Sequence, residues 1–387
     1  MRYNQHFLII SYCLMITALC SAMESKKQLQ QYENHWLSST QEITAVTNPW
    51  CVRYFTQDHI VVGGINGAVH SINLRTQKIQ KRIGATAFFR GVTLQSNNKQ
   101  VITCKDTTIT VYSSEKIPEC ETFQTEKNEI RSFAWNSLKN TIFLCYGENR
   151  GEITQYNYVT RDCKNIPVCG QICQIMTMHP KKEIMCIADH SGNISLYNID
   201  DTFSKIKIIN LNTKLKKCWF CQYSPDGSYI VAGNEKKLFI IDPDRNVHVF
   251  PCIKAEKKDK SYETFKNVAF YRNDSILAIL CNRTIDHSRL CVRQEQFVRY
   301  FDLKTQQFID ATPKLYSQDS YDLCFSDDGL EVMVALKDKC VRMHVPFAIK
   351  EKCLYYLCVL NRIKDHSKWP NDIVRYCGNM LLELFKF

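Results

Sequence analysis

One five-residue pattern recurs seven times along the chain, and no other feature constrains the fold as tightly. An apolar residue is followed three places later by an aromatic or aliphatic one, and then by a short polar residue. The copies are Val69-His-Ser-Ile-Asn73, Ile109-Thr-Val-Tyr-Ser113, Ile153-Thr-Gln-Tyr-Asn157, Ile194-Ser-Leu-Tyr-Asn198, Leu238-Phe-Ile-Ile-Asp242 and Val298-Arg-Tyr-Phe-Asp302, with a seventh, Val341-Arg-Met-His-Val345, ending differently. Their fourth positions are separated by 40, 44, 41, 44, 60 and 43 residues. Around residues 172–200 the pattern closes a run of three short strands, with His179-Pro180 and His190-Ser-Gly-Asn193 as turns, because Gly and Asn tolerate positive φ. A sheet this small cannot bury both faces alone, so it must stack on neighbours of its own kind.

A period of about 40–45 residues with four short strands per copy is that of a propeller blade. Expected first strands recur too, at Cys51-Val-Arg-Tyr-Phe55, Gly91-Val-Thr-Leu94, Ile130-Arg-Ser-Phe-Ala-Trp135, Cys218-Trp-Phe-Cys-Gln-Tyr223, Val268-Ala-Phe-Tyr271 and Tyr321-Asp-Leu-Cys-Phe325. Ser224-Pro-Asp-Gly227 and Ser326-Asp-Asp-Gly329 follow two of them as turns. Asn73-Leu-Arg-Thr-Gln-Lys78 and Asp302-Leu-Lys-Thr-Gln-Gln307 resemble the Trp-Asp-x-x-Thr-Gly segment that closes a WD40 repeat, and residues 220–232 resemble its middle. The resemblance covers residues 43–345. It implies an all-β, seven-bladed β-propeller over residues 43–346, used for binding proteins. The Trp-Asp pair and the opening Gly-His pair are missing, so the copies are degenerate.

Closure of such a ring needs a partner for the last blade. Pro346 has no N–H to continue a ladder, and an unpaired edge invites aggregation. Residues 43–47 are the strand-like segment left over, and are expected to pair with residues 341–345. Residues 23–42 read as a linker. The 60-residue interval holds two insertions, a basic loop at 253–263 and an extended hairpin at 283–295.

The ends differ from the middle. Residues 1–22 have Arg2 and His6, an uncharged apolar run, then Cys20 and Ala22, which is the layout of a cleavable signal peptide. They predict export, to a periplasm or by secretion, with no membrane span after cleavage; an uncleaved anchor or a cytoplasmic chain is the alternative. Residues 347–387 change to a helical period and form an expected C-terminal extension. Leu354-Tyr-Tyr-Leu-Cys358 and Pro370-Asn-Asp-Ile-Val374 distantly resemble the SOCS box and F-box, which would imply a ubiquitin-ligase adaptor. Two helices packed on the rim explain them as well.

The positions of the 20 cysteines do not resemble a disulfide framework. Cys51, Cys104, Cys145, Cys186, Cys221, Cys281 and Cys324 each fall in an expected strand, where a thiol serves as a small buried hydrophobe. In Cys218-Trp-Phe-Cys221 strand alternation would put the two thiols on opposite faces, away from a shared zinc. No metal or cofactor is expected.

Hydrolase elbows, metalloprotease helices and phosphate loops are missing from the sequence. The reading is therefore a non-enzymatic scaffold for protein–protein interaction. The rival is a propeller hydrolase or lyase with a channel metal or cofactor, which would need carboxylates or histidines converging from several blades. The formal charge is +11, with lysines concentrated at 205–260, which suits an acidic protein, nucleic acid or an anionic membrane, or is simply a solvated basic surface. Aromatic–basic interleaving of the kind that binds single-stranded nucleic acid does not accompany it, so a protein partner, acidic if the charge is used, is expected and nucleic acid is not. In WD40-like rings the turns between second and third strands form the commoner partner face. Here they carry Asn66, Asp106, Arg150, His190, Lys236 and Lys337, with Lys217 just ahead of a first strand.

Overall fold

A computed structural model describes residues 40–345, except 45, 47, 65–67, 84–88, 96–99, 106, 114–119, 125–129, 137–138, 147–151, 169–172, 201–202, 212–217, 253–261, 272–274, 289–290, 313, 318 and 327. Side chains of residues 80–106, 112–129, 210, 262, 286–293, 310 and 316 also fall outside the description. The chain divides into two units, Thr40–Met343 and a second made of Met1–Ser39 with His344–Phe387. The signal peptide expected at 1–22 and the helices expected at 347–387 lie outside the described residues.

Every regular element described is a strand, and the unit is an all-β propeller. After β1 (Thr40–Ile43), the first sheet comprises β2 (Pro49–Thr56), β3 (His59–Gly64), β4 (Val69–Asn73) and β5 (Ile79–Ile83). The next holds β6 (Phe89–Gln95), β7 (Gln100–Lys105), β8 (Thr108–Ser113) and β9 (Cys120–Gln124). Then come β10 (Ile130–Asn136), β11 (Thr141–Tyr146), β12 (Glu152–Asn157) and β13 (Cys163–Pro167). They are followed by β14 (Cys173–Met178), β15 (Ile184–Asp189), β16 (Asn193–Asn198) and β17 (Ser204–Asn210). A further sheet has β18 (Phe220–Tyr223), β19 (Ile230–Gly233), β20 (Lys237–Ile241) and β21 (Val247–Pro251). The largest has β22 (Tyr262–Phe270), β23 (Ile276–Ser288), β24 (Cys291–Asp302), β25 (Gln307–Ala311) and the short β26 (Leu315–Tyr316). The last comprises β27 (Ser320–Phe325), β28 (Glu331–Leu336) and β29 (Cys340–His344), to which β1 is added. Each sheet is antiparallel, and each copy of the recurring sequence pattern lies in or overlaps the third strand of its sheet. Side chains are described across six of the sheets; the β6–β9 sheet is known by its backbone pairing and a few residues of β8, among them buried Ile109 and Val111.

First strands lie innermost. Each sheet's first strand abuts that of the next, and β27 returns to β2. Apolar cores fill the spaces between sheets: Cys186, Ile194 and Leu196 pack with Cys221, Ile230 and Phe239, and Phe220, Val231 and Ile240 pack with Val268, Ile279 and Phe301. Second strands are covered on both faces. Accordingly β11 (TIFLCY) and β28 (EVMVAL) are buried at every position, as a continuous apolar run should be.

Closure of the last sheet differs from the expectation. The pairing strand is β1, three residues earlier than residues 43–47, with Thr40, Gln41, Glu42 and Ile43 opposite Met343, Arg342, Val341 and Cys340. The reason lies in the polar residues. Glu42 pairs with Lys339 and Gln41 accepts from Arg342 Nη1 (3.2 Å). Apolarity alone could not reveal those contacts. Ile43 and Val46 are buried in the core shared by β2–β4 and β27–β29.

The cysteines with described side chains are free thiols, and Cys51, Cys145, Cys186, Cys221, Cys281 and Cys324 are buried in strands. One expectation needs correction. Cys218 precedes β18 instead of lying in it, so strand alternation does not apply, and it shares a core with Cys221.

Two turns repeat almost atom for atom. Ser224 Oγ donates to Asp226 Oδ1 (2.6 Å) and accepts from Tyr229 N (2.9 Å), while Gly227 N donates to Ser224 O (2.8 Å). Ser326 Oγ donates to Asp328 Oδ1 (2.7 Å) and accepts from Glu331 N (3.1 Å), while Gly329 N donates to Ser326 O (2.9 Å). Both glycines have positive φ, +82° and +69°.

Candidate interaction site

Six first strands carry the same irregularity near their start. Pairing with the second strand skips one residue: Trp50 in β2, Arg90 in β6, Arg131 in β10, Gln174 in β14, Lys266 in β22 and Tyr321 in β27. A β-bulge of this kind releases its extra residue from the ladder and re-aims it, which is why bulges gather at functional sites. In the β18 sheet Trp219 stands at the corresponding place, its N–H donating to Gly233 O (2.8 Å). Five of the bulges sit at the end where second strands turn into third strands, and Lys266 lies mid-strand in β22, because β23 runs on to Ser288.

Four adjacent sheets build a recess of about 450 Å³ there, lined by Trp50, Cys51, Arg53, Trp219, Glu235, Lys266, Asn267, Asp319, Ser320, Tyr321 and Asp322. Its volume is that of a small-ligand site. Trp50 and Tyr321 stack with centroids 4.5 Å apart and planes 26° apart. Trp219 is 50% exposed, an unusual position for so large an apolar surface.

Asp322 forms the buried floor. It accepts from Val52 N (3.0 Å) and Asn267 Nδ2 (2.9 Å) and pairs with Arg53, joining strands β27, β2 and β22. Burial raises its carboxyl pKa, and Arg53 acts against that rise. Burial, then the Asp322 charge, pushes the neighbouring Cys51 thiol well up, so it is a poor nucleophile.

The rim holds a second, looser charge cluster. Lys266 Nζ lies 3.3 Å from Asp319 Oδ1 and 3.5 Å from Glu235 Oε1. Asp319 Oδ1 also accepts from Asn282 Nδ2 (2.9 Å) and Ser320 N (2.9 Å). Burial and then the Asp319 charge raise the pKa of Tyr321.

The extended hairpin expected at 283–295 is present: β23 and β24 pair out to Ser288 and Cys291. Its base is braced by Glu263, which is buried and paired with Arg283 and with Arg299 (2.9 Å), and by β26, which pairs with Glu295 and Gln296 of β24. Asn282 ties this hairpin to Asp319 in the recess.

Of the residues picked out from sequence, His190, Lys236 and Lys337 are described, and each lies in a turn between second and third strands. Lys236 follows Glu235 directly, and Lys337 N donates to Asp319 O (2.9 Å), so both belong to the rim of the recess. His190 stands apart from it, with Nδ1 3.3 Å from Gln174 Oε1. Asn66, Asp106, Arg150 and Lys217 lie outside the described residues. Trp50, Lys266, Asp319 and Tyr321 were not singled out as site residues from sequence, although Tyr321 was placed in a first strand. A bulge adds one residue to a strand and leaves no mark in the apolar period.

The family model for eukaryotic translation initiation factor eIF2A matches residues 81–250. The match spans less than half of the chain, from within β5 to within β21. It includes Trp219 and Glu235 but none of the recess residues from β2, β22 and β27. No curated protein matches the chain.

Proposed function

We propose that this chain is a non-enzymatic, seven-bladed WD40-type platform, and that it binds a protein partner on the face where second strands turn into third strands. The recess carries the proposal. It gathers a half-exposed Trp219, the Trp50–Tyr321 stack and a loosely paired charge cluster on one rim. Tryptophan, tyrosine and arginine dominate binding energy at protein interfaces. Exposed Lys236 and Lys337 favour acidic groups on the partner. The partial likeness to the eIF2A family supports a WD40-like ring and adds a second reading, in which the partner belongs to the translation initiation apparatus.

Two experiments test this. Affinity capture from the native source should recover a partner with the full chain and lose it with Trp219→Ala. A control change on the outer strand β17, Ile208→Ser, should leave capture intact. Equal recovery with all three would refute the face assignment. Co-sedimentation of the full chain with small ribosomal subunits tests the second reading, which fails if the chain stays in the supernatant.

Export through residues 1–22 belongs to the first reading, and the second requires a chain retained in the cytoplasm. N-terminal sequencing decides it: a start near Met23 supports export, whereas an intact Met1 supports an anchor or the cytoplasm.

A further inference from the structure

We infer that the recess takes an arginine side chain from the partner, flanked in the partner's sequence by acidic residues. This rests on the interaction reading above and names the chemistry the site would select.

The argument starts from unequal charge pairing. Asp322 on the floor is matched by Arg53. Above it two carboxylates, Glu235 and Asp319, share one ammonium, that of Lys266. One negative charge is left over. The Lys266 contacts, 3.3 and 3.5 Å, are also long beside the roughly 2.7–2.9 Å of a strong charge-assisted bond. Glu235 therefore keeps capacity to accept, whereas Asp319, whose Oδ1 already accepts from Asn282 Nδ2 and Ser320 N, has its second oxygen to offer. The raised pKa of Tyr321 fits a negative local potential, since the Asp319 charge contributes to it after burial.

The second observation is aromatic. Trp219 is 50% exposed and lines the same recess as Glu235 and Asp319. A cation that must meet two carboxylates and an indole in one cavity is best served by guanidinium. It is planar, donates in a fork, and stacks on aromatic faces. An ammonium offers the charge without the fork or the plane. Around the Glu235–Asp319 pair Lys236 and Lys337 are exposed, which suits carboxylates on either side of the arginine.

Titration of the full-length chain with short capped peptides, read by tryptophan fluorescence and calorimetry, tests the assignment. Asp-Arg-Asp peptides should bind at least tenfold more tightly than Asp-Lys-Asp, and Asp-Ala-Asp should show no saturable binding. Glu235→Gln should weaken the arginine peptide about tenfold. Lys266→Met removes the competing cation and should tighten it several-fold, which loss of a merely structural lysine would not do. Circular dichroism confirms that each variant is folded. Equal binding of arginine and alanine peptides overturns the inference, as does weaker binding to Lys266→Met or no binding at all. If capture of the native partner still depends on Trp219 while no arginine peptide competes with it, the interaction face stands and the arginine assignment falls. If capture is independent of Trp219, the face itself is wrong.

Discussion

The change that best probes the ring is Gly227→Ala, together with its dependence on His179. Gly227 has φ +82°, in the left-handed region where a Cβ clashes with its own backbone. That conformation costs a non-glycine residue about 1–2 kcal/mol. Its second burden is a neighbour. A Cβ on Gly227 would lie 2.2 Å from Cε1 and 2.3 Å from Nε2 of His179, on the preceding sheet. The ring cannot swing away freely, because its Nδ1 accepts from Lys181 N and Lys182 N, both at 3.0 Å. Overpacking of this kind costs about 1–3 kcal/mol. The sum for Gly227→Ala is roughly 2–5 kcal/mol. In a His179→Ala background only the conformational part should remain, about 1–2 kcal/mol. Denaturant titration of the wild type, both single variants and the double variant gives the coupling directly. A coupling below about 0.5 kcal/mol would mean that the sites act independently, and the inter-sheet contact would then carry no energy.

Several further outcomes are expected. Asp322→Ala takes the acceptor from buried Val52 N and from Asn267 Nδ2 and the carboxylate from half-buried Arg53, and should cost about 3 kcal/mol in a denaturant titration, more than loss of an exposed pair such as Arg75–Asp58; equal costs would show that the floor is not a buried network. Gln306 occupies the left-handed region at φ +56°, so Gln306→Gly should stabilise by up to about 1 kcal/mol, and destabilisation would show that its side chain matters more than its backbone. Burial, then Lys182, Arg245 and Lys181, lower the pKa of His179. The unfolded chain therefore binds the proton more readily, and stability should fall as pH drops from about 6.5 through the folded value, whereas His179→Gln should flatten that slope. Thiol titration in denaturant without reductant should find Cys186 and Cys221 unbridged, although their sulfurs lie 3.5 Å apart; a disulfide between them would contradict the core-filler reading.

How much was legible follows from what each feature leaves in the sequence. The third strands were readable because each alternates and recurs, so position after position repeats the same constraint. The Ser-x-Asp-Gly turns were readable because each polar residue closes a specific bond, down to Ser224 and Ser326 accepting from the residue five places on. The long hairpin showed as excess length between two copies. β1 was misplaced because its pairing depends on Gln41 and Glu42 meeting Arg342 and Lys339, residues some 300 positions away in sequence. The face proposed for binding was legible as a set of turns, but the recess was not, because its members come from four sheets and several of them sit at bulges.

That failure has a physical cause that bears on function. A strand residue between two packed sheets must be apolar, so its identity reports the fold. The bulge residue is released from that duty. At the bulges stand Trp50, Arg90, Arg131, Gln174, Lys266 and Tyr321, with Trp219 at the corresponding place ahead of β18, where neighbouring ladder positions are occupied by Cys51, Val52, Ile130, Cys173, Phe220, Phe265 and Leu323. The same repeat that specifies the ring thus leaves one position near the inner strand of a sheet outside the regular ladder. The proposed recess draws on four of these positions, Trp50, Trp219, Lys266 and Tyr321, so its aromatic character comes from residues that the core does not dictate.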